Sequence, residues 1–116
     1  MNEKPLIQLS TNFAINAYSI VKQLRKVKEF ILADQLLKCT TSIGANINEG
    51  QYAQSRADFI SKYQIALKES GEARYWIDFL FLTELIDDQT KKAMDSFNNQ
   101  LLACLTTSIK TAKSRL

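Results

Sequence analysis

Residues that interrupt helices are scarce in this sequence. Proline occurs once, at Pro5, and glycine occurs three times, at Gly44, Gly50 and Gly71. Because strands are joined by frequent turns that depend on these two residues, so few of them favour a small number of long helices. The 116 residues, 46% hydrophobic and 23% charged, suit an ordinary globular protein. We predict one domain over residues 1–116.

Apolar residues recur at intervals of three and four in four stretches, which is the spacing of one buried helix face. The predicted boundaries are a cap at Ser10 or Thr11 for the first helix, a start near Phe30 to Ala33 and an end at Asn48 or Glu49 for the second, residues 56–86 for the third, and a cap at Asp87 or Asp88 for the fourth. The connections are short, and no stretch alternates as a strand does. The sequence therefore predicts an all-α fold, an antiparallel up-and-down four-helix bundle.

The corner between the second and third helices carries the most specific residues. Gly50 is predicted to end the second helix in the left-handed conformation. Asn46 and Glu49 lie beside the apolar line of that helix, and Asn46 is predicted to tie the corner together through hydrogen bonds. Ser55 and Asp58 have the spacing of a capping box, with which the third helix would start.

The third helix carries more apolar surface than one buried stripe requires. Its predicted inner stripe is Phe59, Tyr63, Ala66, Ser70, Ala73, Ile77, Leu80 and Phe81. A second flank holds Ile65, Tyr75, Trp76 and Phe79. A surface helix of a monomer needs only one apolar stripe, so the second flank predicts an oligomer interface. Gly71, midway along this helix, marks either a bend or a place where another helix packs closely.

The second and fourth helices have simpler patterns. Gly44 is small, so a neighbouring backbone is expected to come close to the second helix there. The predicted inner stripe of the fourth helix is Met94, Phe97, Leu101, Cys104 or Leu105, Ser108 and Ala112. Each of these two helices therefore has one apolar face to bury.

Residue types that support catalysis are few. Histidine is absent, which excludes Ser-His-Asp and Cys-His catalysis and the Glu-x-x-His motif of di-iron bundles. Cys39 and Cys104 are too few for a four-thiolate metal site, and each lies in a helical pattern, where a free cysteine acts as a small apolar residue. We predict no enzymatic activity, no metal and no cofactor.

Three carboxylates are the remaining candidates for chemistry. Glu49 lies at the end of the second helix, and Glu69 and Glu72 lie one turn apart on the third. Adjacent acids on helices bind a divalent metal or act in acid–base catalysis. The structural alternative is that they accept hydrogen bonds from backbone donors or pair with basic residues, the candidates being Lys62, Lys68 and Arg74.

The net charge of +3 is mild, and its basic residues form two clusters. The clusters are Lys22, Arg25, Lys26 and Lys28 near the end of the first helix, and Lys110, Lys113 and Arg115 near the end of the fourth. Cations at these positions complement the negative pole of a helix dipole, or else contact phosphates of a nucleic acid. In an antiparallel bundle the clusters would lie at opposite ends, the second one near the corner between helices 2 and 3.

The sequence has no stretch with the hydropathy pattern of a membrane span or of a signal peptide. No window approaches the roughly 18 consecutive apolar residues of a membrane span. The segment Met1–Pro5 has no apolar core of the signal-peptide type. We predict a cytoplasmic protein with no membrane contact.

The sequence resembles the bacterial four-helix-bundle proteins named for open reading frames in 23S rRNA intervening sequences. The matching segments are Gln35–Leu37, Ser42–Ile47, Glu49–Gly50, Ala53–Ser55, Asp58–Phe59, Ile65–Glu69, Glu72, Tyr75–Trp76, Leu105–Thr106 and Ile109–Lys113. The motif positions carried over are Ser42, Asn46, Glu49, Gly50, Ser55, Asp58, Glu69 and Glu72. The likeness covers nearly the whole chain, and it departs from the family pattern at Asn48, where a small apolar residue is more usual.

The resemblance implies a four-helix bundle that assembles as a ring-shaped homo-oligomer, commonly a pentamer, without established enzymatic activity. A related branch, the accessory proteins of diversity-generating retroelements, binds a reverse transcriptase and nucleic acid through basic surfaces. Two hypotheses follow. The first is a self-associating assembly or scaffold module whose partner is another copy of the chain. The second is an accessory protein whose partner is RNA or an RNA-associated protein.

Overall fold

The computed structural model describes residues 4–115, and for Lys4 it describes the backbone only. Four helices account for most of this range: α1 (Lys4–Lys26), α2 (Phe30–Gln51), α3 (Arg56–Leu82) and α4 (Asp88–Lys113). No strand occurs between residues 4 and 115. The predicted all-α fold is confirmed.

The helices form an elongated bundle of 47 × 21 × 19 Å. Within the described range, α1 packs against α2 and α4, and α3 packs against the same two helices, whereas the backbones of α1 and α3 do not come close to each other. Successive helices are therefore neighbours, joined by short connections, and α1 and α3 lie on one diagonal of the bundle. Each described helix falls short of the combination of length and apolar character needed to cross a membrane.

The core is built from the faces that the four helices turn toward one another. Its largest fully buried side chains include Phe13, Leu36, Tyr63, Ile77 and Leu101. Cys104 is exposed, and its neighbour Leu105 occupies the buried position, so the leucine alternative of the predicted α4 stripe is confirmed. Ile60 and Ile109 are also buried, although the predicted stripes omitted them.

A polar pair lies inside the core between α3 and α4. Asn98 is fully buried, and its Nδ2 donates to the backbone oxygen of Ser70 at 3.0 Å. The Ser70 hydroxyl donates to Oδ1 of the same asparagine. Because each group satisfies the other, the pair avoids the cost of an unpaired buried polar group. It also fixes how α3 and α4 are aligned along their length.

The predicted start of the first helix is wrong by about two turns. The helix begins at Lys4, and Pro5 lies in its first turn, where a missing backbone N–H removes no helical hydrogen bond. Ser10 lies within the helix, buried, and its hydroxyl donates to the oxygen of Ile7 at 2.8 Å. A Cβ on Gly44 of α2 would lie 3.2 Å from Oγ of Ser10. A neighbouring helix does come close at this glycine, but the atoms nearest to it belong to the Ser10 side chain and not to the backbone that we predicted.

The end of α2 also differs from its prediction. The helix runs through Gly50 to Gln51, and no glycine in the described range has a positive φ. Gly50 is instead buried against Tyr63, since an added Cβ would lie 2.6 Å from Cε1 of that ring. Glycine is required here for close packing of α2 on α3. The left-handed cap that we predicted is wrong.

The caps of α3 and α4 agree with the sequence. Ser55 is the N-cap of α3, and its side chain accepts from the backbone N–H of Asp58 at 3.0 Å. The Asp58 carboxylate accepts in return from the backbone N–H of Gln54 at 3.3 Å. Asp87 caps α4 by accepting from the backbone N–H of Thr90 at 2.8 Å. Both predicted caps are confirmed.

The helix α3 ends at Leu82, four residues before the predicted end. Glu84 adopts a φ of 64°, and the N–H of Leu85 donates to the oxygen of Leu80 at 2.8 Å. Lys28 repeats this arrangement after α1, with a φ of 65° and a bond of 2.8 Å from the N–H of Glu29 to the oxygen of Leu24. Both turns are Schellman motifs whose left-handed residue is not glycine, so the usual sequence signal is missing.

Candidate functional site

The described surface has an aromatic face on α3, directed away from the core. We call the α3 outer face the surface formed by Ile65, Glu72, Tyr75, Phe79 and Leu82. Tyr75 is 59% exposed, Phe79 37% and Leu82 77%. Burial of apolar area is the main driving force of association, so these side chains are suited to contact another protein surface.

Trp76 lies at the edge of the α3 outer face and belongs partly to the core. It is half-buried and packs against the core cluster. Its ring lies 5.0 Å from the ring of Tyr75 and 6.2 Å from that of Phe79, between centroids. Its Nε1 donates to Oε1 of Glu72 at 3.4 Å. Three of the four predicted flank residues, Tyr75, Trp76 and Phe79, therefore form one connected aromatic cluster in which Trp76 is the half-buried member.

Gly71 lies in the middle of α3 without interrupting the helix. It is exposed, and a Cβ added there would meet no atom within 4 Å. Close packing at this glycine therefore does not occur with any described part of the same chain. Its absent side chain leaves open space beside the α3 outer face.

Two of the three candidate carboxylates come together, and the third does not. Glu69 and Glu72 lie near Cys39 and Lys38 of α2. Glu49 is exposed and does not join them. Between residues 4 and 115 there is no group of three acidic, cysteine or histidine side chains arranged to hold a metal ion.

The chemistry of this pair is set by burial and by its neighbours. Burial, followed by the repulsion of Glu72, raises the pKa of Glu69, while Lys38 and Lys68 act in the opposite direction. One carboxylate oxygen of Glu69 is buried without a hydrogen-bond partner in the described structure. Burial, followed by the charges of Glu72 and Glu69, raises the pKa of the Cys39 thiol to about 12. At neutral pH this cysteine is therefore a protonated and unreactive thiol.

The predicted partners of these acids are partly wrong. Arg74 does not pair with them, because its guanidinium donates to Oδ1 of Asn99 on α4. Lys68, one of the predicted partners, does lower the pKa of Glu69 through its charge. Lys38, which was not among the predicted partners, also lowers it. Lys38 lies 31 residues before Glu69 along the chain, so only the packing of α2 on α3 brings them together.

The α2–α3 corner is held by residues other than those expected. Nδ2 of Asn46 donates to the oxygen of Ser42 at 2.8 Å, which is a bond within α2. The cross-corner bond runs from Nε2 of Gln51 to the hydroxyl of Tyr63, at 2.9 Å. The expectation that Asn46 ties the corner together is therefore wrong. A polar side chain four residues after a backbone carbonyl on the same helix can donate to that carbonyl, and Asn46 bonds within α2 in this way.

The basic residues of the cluster at the end of α1 have different environments. Arg25 forms an ion pair with Asp34 of α2, with 2.6 Å between Nη2 and Oδ1. The amino group of Lys22 lies 5.6 Å from the ring centroid of Tyr18, on the solvent side of α1. Lys28 is the left-handed residue of the α1–α2 turn. Neither Lys22 nor Lys26 forms an ion pair with a described residue.

A second outer face lies on α1, diagonally across the bundle from α3. We call the α1 outer face the surface formed by Ile15, Tyr18, Lys22 and Lys26, all of which are exposed. Ile15 is 59% exposed and Tyr18 52%. The sequence of α1 contains no acidic residue, so this face is both apolar and cationic. Its charged residues were predicted from the sequence, whereas its exposed apolar residues were not.

The second basic cluster lies at the opposite end of the bundle, as predicted. Lys110, Lys113 and Arg115 are exposed at the end of α4. Nη1 of Arg56, at the start of α3, donates to the backbone oxygen of Arg115 at 3.2 Å. Arg56 therefore joins the cluster near the α2–α3 corner. The four cations form no ion pair with another described residue, and we call them the basic end.

An open cleft separates α1 from the start of α4. Its rim is polar, formed by Asn16, Ser19 and Gln23 of α1 with Gln89 and Thr90 of α4. The floor is apolar, with Ile20 and Met94 among its residues. The cleft holds no histidine or cysteine and only one acidic residue, Asp87, whose carboxylate caps α4. It therefore has no evident catalytic arrangement.

Comparison with known proteins agrees with this architecture. The family of the 23S rRNA-intervening sequence protein matches residues 3–107. Among solved structures, the chain is similar to a protein of unknown function from the S23 ribosomal protein family of Bacteroides thetaiotaomicron VPI-5482. The two chains share 40% sequence identity and superpose with a TM-score of 0.87, over 90% of this chain and 98% of the other. No curated protein matches. The family match over nearly the whole chain, together with this structural likeness, shows that the protein belongs to the 23S rRNA-intervening sequence protein family.

Proposed function

We propose that the protein is a non-enzymatic helical bundle that self-associates into a ring-shaped homo-oligomer and serves as an assembly or scaffold module. The observation that carries this proposal is the α3 outer face, where three large apolar side chains, Tyr75, Phe79 and Leu82, are exposed together at the end of one helix. Leaving such a cluster in water forgoes roughly 25 cal/mol for each Å² of apolar surface that a partner would cover.

The arrangement of the aromatic cluster supports a protein partner. Trp76 is held by the core and by Glu72, and it packs against Tyr75 and Phe79. These rings are therefore partly ordered before any partner binds, which lowers the entropy cost of association. Tyrosine and tryptophan are also the residues that most often dominate the energy of interfaces. The pentameric ring implied by the family resemblance is the oligomer that we propose.

Non-enzymatic function is supported by the chemistry of the described residues. Neither the description of the family nor that of the similar Bacteroides thetaiotaomicron protein names an enzymatic activity. The buried thiol of Cys39 is held protonated by its surroundings. Glu69 and Glu72 lie together without a third ligand among the described residues.

Light scattering at micromolar concentration tests self-association. We expect a mass several times the 13.2 kDa of one chain. The substitution Tyr75→Glu should lower this mass, since it places a charge in the centre of the α3 outer face. Tyr52→Glu is the matched control, because Tyr52 is 81% exposed in the α2–α3 connection, away from both outer faces. A monomeric native protein would contradict the proposal.

A second candidate function, RNA binding, is favoured by the basic end. Arg56 bonds to Arg115, Lys110 and Lys113 lie on the last turn of α4, and none of the four has a described carboxylate partner. A ring would present several copies of this cluster, and multivalency would strengthen contacts that are weak in one chain. The partner would be RNA or an RNA-associated protein.

Binding to RNA at low and moderate salt tests this second function. Lys110, Lys113 and Arg115 changed together to Gln should weaken the binding, and salt should weaken it in the native protein, because phosphate contacts release counterions. Lys92→Gln is the control, since its amino group pairs with Asp88 at 2.9 Å. Absence of binding at low salt, or equal binding by the triple variant, would argue against RNA.

A further inference from the structure

We infer that a pocket between the start of α3 and the end of α4 binds one nucleotide unit, with its phosphate at Arg56 and Arg115 and its base against Phe59. This inference rests on the proposed RNA binding, because the pocket lies at the basic end, and it names the part of the RNA that is recognised. The pocket is lined by Arg56, Phe59, Ser108, Thr111, Ala112 and Arg115.

The lining changes from a buried floor to a cationic rim. Ser108 and Ala112 form the floor, and both are buried. Phe59 is half-buried and forms a wall beside them. The two arginines are exposed and lie at the rim. A flat aromatic group therefore fits against the wall while an anion attached to it stays at the mouth of the pocket.

The two arginines are held close to each other. Nη1 of Arg56 donates to the backbone oxygen of Arg115 at 3.2 Å. A guanidinium has five N–H donors, and this bond uses one of them. The planar fork of an arginine side chain can donate to two oxygens of one phosphate at once. The rim of the pocket thus supplies donors of the kind that a phosphate accepts.

No acidic residue is found among the described residues that line the pocket. Asp58 is the acid nearest to Arg56 along the chain, and its carboxylate accepts from the backbone N–H of Gln54 as part of the α3 cap. On α4 the last acid is Asp95, about 20 Å before Ser108 along the helix axis. The charge around the pocket therefore favours an anion.

Phe59 offers a base a ring that is already fixed in place. Its centroid lies 4.1 Å from that of Tyr63. Tyr63 is fully buried, and its hydroxyl accepts from Nε2 of Gln51 across the α2–α3 corner. A ring that is ordered before binding loses little entropy when a ligand stacks on it. Aromatic side chains beside cationic grooves bind single-stranded nucleic acids in this way, with little preference for sequence.

The size of the pocket suits a single nucleotide. Its volume of about 260 Å³ is below the roughly 300–1,000 Å³ of pockets that enclose a whole drug-sized molecule. One base with its sugar would therefore be partly covered and partly left in water. In a duplex the bases are paired and stacked on each other, so they are not available to Phe59. The pocket thus predicts a preference for single-stranded RNA over duplex RNA.

Calorimetric titration with adenosine 5′-monophosphate at low salt tests the pocket. The nucleotide should bind more tightly than adenosine, which lacks the phosphate, and more tightly than inorganic phosphate, which lacks the base. Failure of the nucleotide to bind would overturn the inference. Equal affinities for the nucleotide and inorganic phosphate would also overturn it, because the base would then contribute nothing.

Two substitutions separate the phosphate contact from the base contact. Arg56→Gln should weaken nucleotide binding about tenfold or more, the effect of losing a hydrogen bond to a charged group. Arg74→Gln is its matched control, because this exposed arginine of α3 donates to Asn99 away from the pocket. Phe59→Leu keeps an apolar side chain but removes the ring, so it should weaken nucleotide binding more than phosphate binding. Phe97→Leu, which removes a half-buried ring from α4, controls for lost packing.

Circular dichroism and the thermal midpoint show whether each variant is folded. A folded Phe59→Leu variant with the nucleotide affinity of the native protein would overturn the inference. The same result for Arg56→Gln would overturn the placement of the phosphate.

Binding of RNA distinguishes failure of this inference from failure of the proposed RNA function. Lys110 and Lys113 do not line the pocket, so changing both to Gln should weaken RNA binding more than nucleotide binding. If the nucleotide binds but single-stranded RNA does not, the RNA proposal fails and the pocket takes a free nucleotide. If RNA binds equally to the native protein and to Phe59→Leu, and duplex binds as tightly as single strand, the RNA proposal stands and the pocket inference is wrong.

Discussion

The α2–α3 corner and the α3 outer face both include residues of α3, yet the side chains of the corner find partners within the chain and those of the outer face do not. At the corner, Gly50 and Gln51 contact Tyr63 from α2, and Ser55 caps the helix, so its groups find partners within the chain. On the outer face, Tyr75 and Phe79 remain in water. The side chains of the corner are thus satisfied within the chain, whereas the large apolar side chains of the outer face are left exposed.

Breaking the corner should have the largest effect on stability. Gly50→Ala places a Cβ 2.6 Å from the ring of Tyr63, which is buried and cannot withdraw easily. We expect the free energy of unfolding to fall by about 1–3 kcal/mol, the usual cost of overpacking. Urea unfolding at fixed protein concentration measures it. Unchanged stability would show that the packing against Tyr63 does not require glycine at position 50.

The hydrogen bond across the corner should contribute less. Tyr63→Phe removes the hydroxyl that accepts from Nε2 of Gln51 while keeping the ring. A loss of about 0.5–1.5 kcal/mol is expected, the net value of one such bond. Tyr52→Phe is the control, because that tyrosine is exposed. Equal unfolding free energies for the native protein and Tyr63→Phe would contradict the assignment.

On the outer-face side of α3, a glycine substitution is expected to raise the free energy of unfolding rather than lower it. Gly71→Ala meets no atom within 4 Å of the added Cβ and improves the helix propensity at an exposed position. The folded chain should gain about 0.5–1 kcal/mol, because alanine loses less backbone entropy than glycine. A loss of stability would indicate a strained backbone at this position. A gain in stability accompanied by a lower oligomer mass would place Gly71 at a contact between copies.

The smallest effect concerns pH and Glu69, which lies on α3 near Lys38 of α2. Its pKa is raised above the ordinary 4.5, chiefly by burial, so the folded protein holds this proton more tightly than the unfolded chain does. Stability from this carboxyl is therefore largest at low pH and declines as the pH rises from about 4.5 through the raised pKa.

Glu69→Gln should remove that decline. The gain in thermal midpoint over the native protein should be greater at pH 7 than at pH 4. Glu49→Gln, an exposed carboxyl outside this cluster, serves as the control. An equal difference at both pH values would rule out the proposed linkage.

Much of the fold was predictable because its signals are local. The caps at Ser55 and Asp87 are hydrogen bonds to a backbone N–H three residues away, so the sequence order alone places their partners. The end of α3 was missed because Glu84 adopts a left-handed conformation that usually marks glycine. The start of α1 was missed because Ser10 fits the pattern of a cap but bonds back to Ile7 inside the helix.

The candidate surfaces were predicted less completely. The exposed position of Ile65, Tyr75 and Phe79 follows from a second apolar flank, and the structure has these residues on the surface. The α1 outer face was noted only for its charges, because Ile15 and Tyr18 are too few to form a second stripe in the periodic pattern. Arg56 was missed at the basic end because its contact is with a residue 59 positions away.

The sequence by itself determined the number of helices, the starts of α2, α3 and α4, and most of the faces that the helices bury, because helical periodicity and caps depend on residues within a few positions of each other. Only the tertiary structure decided that Gly50 packs on Tyr63, that Asn98 pairs with Ser70, and that Arg25 pairs with Asp34. Those contacts join residues from different helices. Their geometry depends on how the helices cross and rotate, which no local pattern encodes.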